Sequence, residues 1–444
     1  MPVTDPSPMR AALRRRNPHD RDIVRLAVPA FVALVAEPLY VLADTAVVGR
    51  IGTEELGGLA VASAVMLTIH SLSIVLAYGT TAAVARLMGA GDRRAAAADA
   101  VQSMWLALGL AVVAVPAGLA LAEPLLGALG ADGEVLDHGL LYLRISLLGL
   151  PALLLTLAGT GWVRGIQDTR TPIVVAAGTA AGNLVLQCVL IFGFGFGIGA
   201  SAASTVVALW AGAVVYLRSV GRGARQESVT LRPHPARIRG LLQVGGDLIL
   251  RTAALRASLL IATAVAARLG TVELAAHQIA FEIWTFLALA LDAVAIAGQS
   301  LTGTYLGARR PAVARAAGDR MLAWGGLLGL LAGLALVAVR DVLPDLFTHD
   351  PAVADLTAFL LLWVAALQPI NGLAFTLDGL LIGAGDQRYL AIAMLISLAC
   401  YVPCAGAVLW LDLGIGWLWA ALGVLVAARV VTLSIRWRGS AWAV

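Results

Sequence analysis

Apolar runs longer than the roughly 18 residues that mark a membrane span recur from one end of this 444-residue chain to the other. They fall near 23–49, 56–86, 95–121, 135–163, 172–193 and 198–218, then near 241–267, 274–306, 313–339, 353–382, 389–411 and 416–435. A soluble protein of this length needs charged outer faces on its helices. Here 60% of residues are hydrophobic and 13% charged, against about 25% charged in ordinary soluble domains. The runs therefore predict an all-α polytopic membrane protein of twelve transmembrane helices.

The arginines predict its orientation. One set of connections carries Arg10, Arg14, Arg15 and Arg16, then Arg93, Arg94, Arg164, Arg170, the cluster from Arg218 to Arg239, Arg309, Arg310, Arg388, Arg436 and Arg438. The opposite set carries Arg50, Arg268 and Arg340 and collects Asp132, Glu134, Asp345 and Asp350. The positive-inside rule then places both termini in the cytoplasm, and an even number of spans agrees with that. The segment 1–22 reads as a basic cytoplasmic tail, without the apolar core and cleavage site of a signal peptide.

The two sets of six spans repeat. "RIGTEELGGLA" from Arg50 matches "RLGTVELAAHQ" from Arg268 at an offset of 218, which also pairs Gly89 with Gly307, Pro151 with Pro369 and Gly165 with Gly383. Asp168 pairs with Asp386 and Arg170 with Arg388 at the same offset. Units of six spans enter the membrane in the same direction, so the expected domains are parallel lobes, 23–218 and 241–436. A cytoplasmic linker, 219–240, joins them, and residues 437–444 form a second cytoplasmic tail. Such repeats are typical of alternating-access transporters, and the central cavity between lobes is the expected substrate path.

Other chemistries are excluded. All 31 basic residues are arginine, so a P-loop, Schiff-base or general-base lysine is absent. Cys188, Cys400 and Cys404 lie in apolar segments and read as buried free thiols, with no metal-ligand spacing. There is no His-Glu-x-x-His signature for a membrane enzyme, and "GFGFGIGA" at 193–200 follows no strand, so it reads as a turn between spans. No cofactor is expected.

The stretch "EPLYVLADTAVVGR" at 37–50 sets two acids inside a span. Glu37, Tyr40 or Val41, and Asp44 fall on one helical face, and Pro38 removes a backbone donor between the acids, a candidate hinge. An Asp at a helix centre disfavours insertion by about 2.5–3.5 kcal/mol, and ionisable groups in the membrane usually serve function. Burial disfavours a charged carboxylate and a neighbouring cation favours it. The bland alternative is that Asp44 caps its helix or pairs with Arg50.

"LADTAVVGRIG", "GIQDTRTP", "ARLGTVELAAHQIAFEIW", "LDAVAIAGQSLTGTYLG" and "LDGLLIGAGDQRYL" resemble the multidrug and toxic compound extrusion (MATE) family, in its DinF-like branch, over about residues 22–436. The resemblance implies a secondary exporter that exchanges protons or sodium ions for organic molecules and couples the ion through an acid matching Asp44. On span 5 it implies an Asn, matched by Asn183, and an acid four residues later, where this chain has Gln187. Thr205 matches a further polar position. A hard cation prefers carboxylate oxygens, so Gln187 favours the proton as coupling ion, with sodium as the alternative.

Further intramembrane charges are Asp247, Arg251, Arg256, Glu282, Asp292 and Asp378 in the second lobe and Arg144 in the first. Arg251 and Asp292 sit at similar depth and are expected to pair. Arg144 reads as a buried base near Glu37 or Asp44. Ala262 stands 218 residues beyond Asp44, so coupling is expected in the first lobe. Trp162, Phe281 and Trp284 are candidate substrate-stacking residues; His70 and His277 read as polar packing. The expected activity is proton-driven export of amphipathic or cationic organic molecules from the inner membrane, by a monomer that uses neither ATP nor nucleic acid. A lipid-linked precursor flippase is the alternative, resting on Arg144, Arg251 and Arg256.

Overall fold

The computed structural model describes residues 18–443, apart from the side chains at positions 37, 40, 42, 46 and 53. Among them the regular structure is helical throughout: α1 (Pro18–Val48), α2 (Thr53–Ser73), α3 (Val75–Gly89), α4 (Arg93–Ala128), α5 (Gly133–Leu147), α6 (Leu150–Gly165), α7 (Arg170–Cys188) and α8 (Ile198–Gln226). Then follow α9 (Pro235–Leu269), α10 (Thr271–Gly307), α11 (Pro311–Val339), α12 (Pro351–Gly383), α13 (Gln387–Trp410) and α14 (Ile415–Arg438). Ten stretches are long and apolar enough to cross a membrane, α2 and α3 counting as one, and the pair α5–α6, bent by 48°, is an eleventh. With the 31-residue α1 they fill the order of twelve.

Several predicted limits move. α8 and α9 take up both ends of the expected linker 219–240, leaving residues 227–234 as the connection. Residues 18–22 of the expected first tail are already helical, and the rest of that tail lies outside the described residues. The expected C-terminal tail folds back: Trp442 stacks on Trp437 at 4.1 Å between ring centroids, and the Arg315 guanidinium lies over both rings. α1 runs unbroken through Pro38, so no break marks the expected hinge. Cys400 is exposed rather than buried.

The chain divides into two compact units, one from Val32 to Gly246 and the other from Asp247 onward together with the described residues up to Phe31. α1 is thus shared between them. Its first turn is fixed within the second unit, where Asp20 takes both Arg320 Nε and Nη2, at 2.6 and 2.8 Å, and Trp324 Nε1 at 2.9 Å. In the first unit the 227–234 connection is strapped to α4. Gln102 bonds the backbone of Arg232 and His234, Trp105 Nε1 donates to Leu231 O at 2.7 Å, and Arg237 pairs with Asp99 at 2.6 Å.

The 218-residue repeat is built into backbone geometry. After α3, Asp92 N–H bonds Leu87 O and Gly91 N–H bonds Met88 O; after α10, Arg310 and Arg309 make the same bonds to Tyr305 and Leu306. The turns after α6 and α12 repeat this pair of bonds at Val163–Asp168 and Leu381–Asp386. Each is a Schellman turn, which sets one residue in the left-handed region. Gly91 (φ 78°) answers to Arg309 (φ 56°), and Gln167 (φ 59°) to Gly385 (φ 79°). Helix contacts repeat too: a Cβ on Gly161 would come within 2.8 Å of Ala77 O, and one on Gly379 within 2.2 Å of Ala295 O. Small residues that let backbones touch supply the packing that lipid does not.

Three buried charges of the second unit form one cluster. Asp378 on α12 receives Arg251 from α9 and Arg429 from α14, and Arg429 also lies 5.5 Å over the Phe375 ring. Arg251, paired by depth with Asp292 in the sequence reading, is received by Asp378, and Arg429 is a cation the sequence reading did not single out. Buried charges persist when paired, and Arg suits the role because it stays protonated and presents a planar fork.

Two predictions follow from this scaffold. Arg309→Gly should raise, and Gly91→Ala lower, thermal stability in detergent by about 1 kcal/mol each, the strain of a left-handed residue bearing a Cβ. Asp378→Asn, which strips two buried guanidinium groups of their shared carboxylate, should destabilise by about 3–5 kcal/mol, while Asp378→Glu retains most of the stability in the same unfolding assay.

Candidate functional site

Asp44 lies one turn before the end of α1 and is 6% exposed. Its Oδ1 accepts hydrogen bonds from Gln187 Nε2 at 2.6 Å and from Ser201 Oγ at 2.7 Å. Such bonds are about twice as strong when the acceptor is ionised as when it is neutral. Among the described residues no arginine or histidine forms an ion pair with Asp44. The capping and Arg50-pairing alternatives give way to this bonded site between helices.

The sequence builds the site from two i, i+4 pairs, residues that share one helical face. α7 supplies Asn183 and Gln187, and α8 supplies Ser201 and Thr205. Asn183 Nδ2 donates to Thr205 Oγ1 at 3.1 Å, and the Thr205 and Ser204 hydroxyls donate to Ser201 O at 3.0 and 2.8 Å. Directly past Gln187 and Cys188, α7 widens into a π-helical turn, Val189–Gly193, a rare geometry often found at functional sites. The glycine-rich return 194–197, with Gly195 at φ 71°, then starts α8 so that Ser201 lies level with Asp44.

The site can hold or release one charge without an arginine having to move. As a carboxylate, Asp44 is stabilised by two neutral donors; as an acid, it is a neutral group among amides and hydroxyls. The oxygen atoms of Asp44, Ser201 and Thr205, with Gln187 Oε1, which has no protein partner, are the hard ligands available to a cation. Gln187 meets Asp44 through its amide nitrogen, a donor.

Asp44, Asn183, Gln187 and Thr205 are therefore brought together as the sequence suggested. Ser201 was missed; the signal was its place one turn before Thr205 in the small-residue run "GASAAST". Glu37 and Tyr40 stand on α1, but their side chains lie outside the described residues, and Pro38 is half-buried. Arg144, expected as a buried base, is exposed at the end of α5, because its helix turns that face outward. Trp162, a candidate for the cavity, is core packing: its ring lies on Gly223 and its Nε1 donates to Ser219 Oγ at 3.2 Å. Phe281 and Trp284 are half-buried and join His277 and Trp419 in a chain of ring contacts at 5.7–6.1 Å.

The likenesses to known proteins agree with this geometry. The MatE family model matches residues 29–189 and 248–405, most of both repeats. "Protein DETOXIFICATION 44, chloroplastic" of Arabidopsis thaliana is 32% identical over 440 residues, 92% of this chain and 80% of that one. "DNA damage-inducible protein F" of Escherichia coli strain K12 is 28% identical, covering 94% of this chain and 92% of its own. Among solved structures, a multidrug resistance MATE family transporter of the MOP superfamily in an outward-facing conformation superposes with a TM-score of 0.85 at 22% identity, covering 98% of this chain and 97% of that one. The chain belongs to the MatE family: it is a multi-pass membrane transporter, not an enzyme.

Proposed function

We propose that this protein exports organic molecules, amphipathic or cationic, across the inner membrane by proton antiport. The observation that carries the reading is the Asp44 carboxyl, buried on α1 and held by Gln187 and Ser201 with no arginine counter-charge among the described residues. A buried acid of this kind exists in two forms that differ by one charge, and each prefers a different packing of the helices around it. Ionised, it draws the donors of α7 and α8 to α1; protonated, it tolerates a drier and more bent α1, with the Pro38 region as the point of flexure. The lobes 23–218 and 241–436 then alternate between openings to the two sides, with both termini cytoplasmic and the chain working as a monomer.

The multidrug resistance and detoxification names of the similar proteins support the substrate class. Gln187 in place of an acid supports the proton, since a second carboxylate is what a sodium site would gain most from. The neutral oxygens around Asp44 are the feature that favours the sodium reading.

Uptake of a fluorescent organic cation into inverted vesicles, under an imposed proton or sodium gradient, tests this. A proton gradient should drive uptake in the wild type and fail to do so in Asp44→Asn made at normal levels. Wild-type transport by that variant removes Asp44 from the mechanism, sodium-driven uptake without a proton gradient overturns the choice of ion, and indifference to both favours a flippase. Ser201→Ala, losing one bond to a charged group worth about 1.5–3 kcal/mol, should slow uptake about tenfold while leaving it tied to the same gradient.

A further inference from the structure

Among the polar side chains of the second unit that are fully buried and meet no protein hydrogen-bond partner among the described residues are His277 on α10 at both ring nitrogens, Thr357 on α12 at Oγ1, Tyr401 on α13 at Oη and Trp419 on α14 at Nε1. The His277 and Trp419 rings lie 5.7 Å apart, edge to face, and Tyr401 and Trp419 belong to one apolar cluster with Ala276 and Ala280, the neighbours of His277 on its helix. Counted from the arginine-poor ends of their helices at 1.5 Å per residue, Trp419 lies about 6 Å in, His277 and Thr357 about 9 Å and Tyr401 about 14 Å. Four different helices of this unit thus carry polar groups in one band of depth, about 6–14 Å from those ends.

The repeat shows what this level is. At the offset of 218, Tyr401 stands where Asn183 stands beside Asp44, and buried Ala262 stands where Asp44 does. In the first unit the polar groups at this level converge on a carboxylate. In the second the carboxylate is gone, while polar groups at the same level remain.

We propose that His277, Thr357, Tyr401 and Trp419 line a buried pocket for ordered water in the second unit. Buried polar groups in native proteins are almost always bonded to protein or to internal water, and an internal water needs two to four polar partners. The donor and acceptor inventory selects the ligand. Trp419 only donates, neutral His277 donates through one nitrogen and accepts through the other, and Thr357 and Tyr401 do both. A water, with two protons and two lone pairs, serves such a mixed set. A bare anion leaves the imidazole acceptor unserved, and a metal cation cannot take the indole N–H. The pocket is separate from Asp44 and holds whether the coupling ion is a proton or sodium.

Radiolytic hydroxyl-radical footprinting reads such water directly, because an ordered internal water is split in place and oxidises the side chains that hold it. The control is Trp442, 2% exposed, whose Nε1 is bonded to Trp437 O at 2.8 Å and Gly439 O at 3.1 Å. In the wild-type protein, His277, Tyr401 and Trp419 should be oxidised severalfold faster than Trp442; oxidation at the Trp442 rate overturns the proposal. In His277→Phe, which keeps the ring and removes both nitrogens, labelling of Trp419 should fall toward that of Trp442. Unchanged labelling there removes His277 from the pocket. The wild-type comparison decides by itself if the variant does not fold.

Discussion

A carboxyl buried in a membrane protein and bonded by two neutral donors, with no arginine paired to it among the described residues, is the constraint around which the first unit is arranged. Asp44 receives Gln187 and Ser201 at 2.6 and 2.7 Å. An arginine partner would hold the acid charged throughout, since the guanidinium does not give up its proton. Amide and hydroxyl donors stabilise the charge without fixing it. The π-turn after α7, the glycine-rich return and the i, i+4 pairs on α7 and α8 all bring neutral donors, rather than a cation, to the level of Asp44 on α1.

The second unit shows the opposite solution on the same scaffold. Its Schellman turns, and the contact of Gly379 with Ala295 O, match those of the first unit at the 218-residue offset, yet its buried carboxylate, Asp378, holds two arginines. A charge paired in that way favours one arrangement. Asp168 and Asp386 diverge similarly: Asp168 accepts the backbone N–H groups of Arg170 and Thr171 at the start of α7, whereas Asp386 pairs with Arg436, which itself lies over Tyr389. The backbone repeat has been kept while the buried chemistry of the two units has separated.

Much of this was readable before any coordinates. Span length and hydropathy are set by the bilayer, so twelve runs translate into helices with few ways to err, and the cheap test of a constant offset exposed the repeat. Asp44 stood out as an acid inside a span, and Asn183, Gln187 and Thr205 were named through the family resemblance. Partners across helices were harder to read. Arg251 and Asp292 matched in depth, but depth fixes one coordinate only, and it gave no sign that the rotation of α12 presents Asp378 to Arg251. Arg144 was misplaced for the same reason: sequence showed which helix carries it, not which face that helix turns outward. Ser201 was hidden because one serine among small residues on a membrane helix most often bonds its own backbone.

The proposed coupling requires Asp44 to change its proton during the cycle, which infrared difference spectroscopy of the protein in lipid reads without reference to transport rate. Adding substrate to the wild type should remove a protonated-carboxyl stretching band, and that difference should be absent from Asp44→Asn. A substrate-induced carboxyl band that persists unchanged in the variant, or a wild-type spectrum with no such band at any pH, would contradict it.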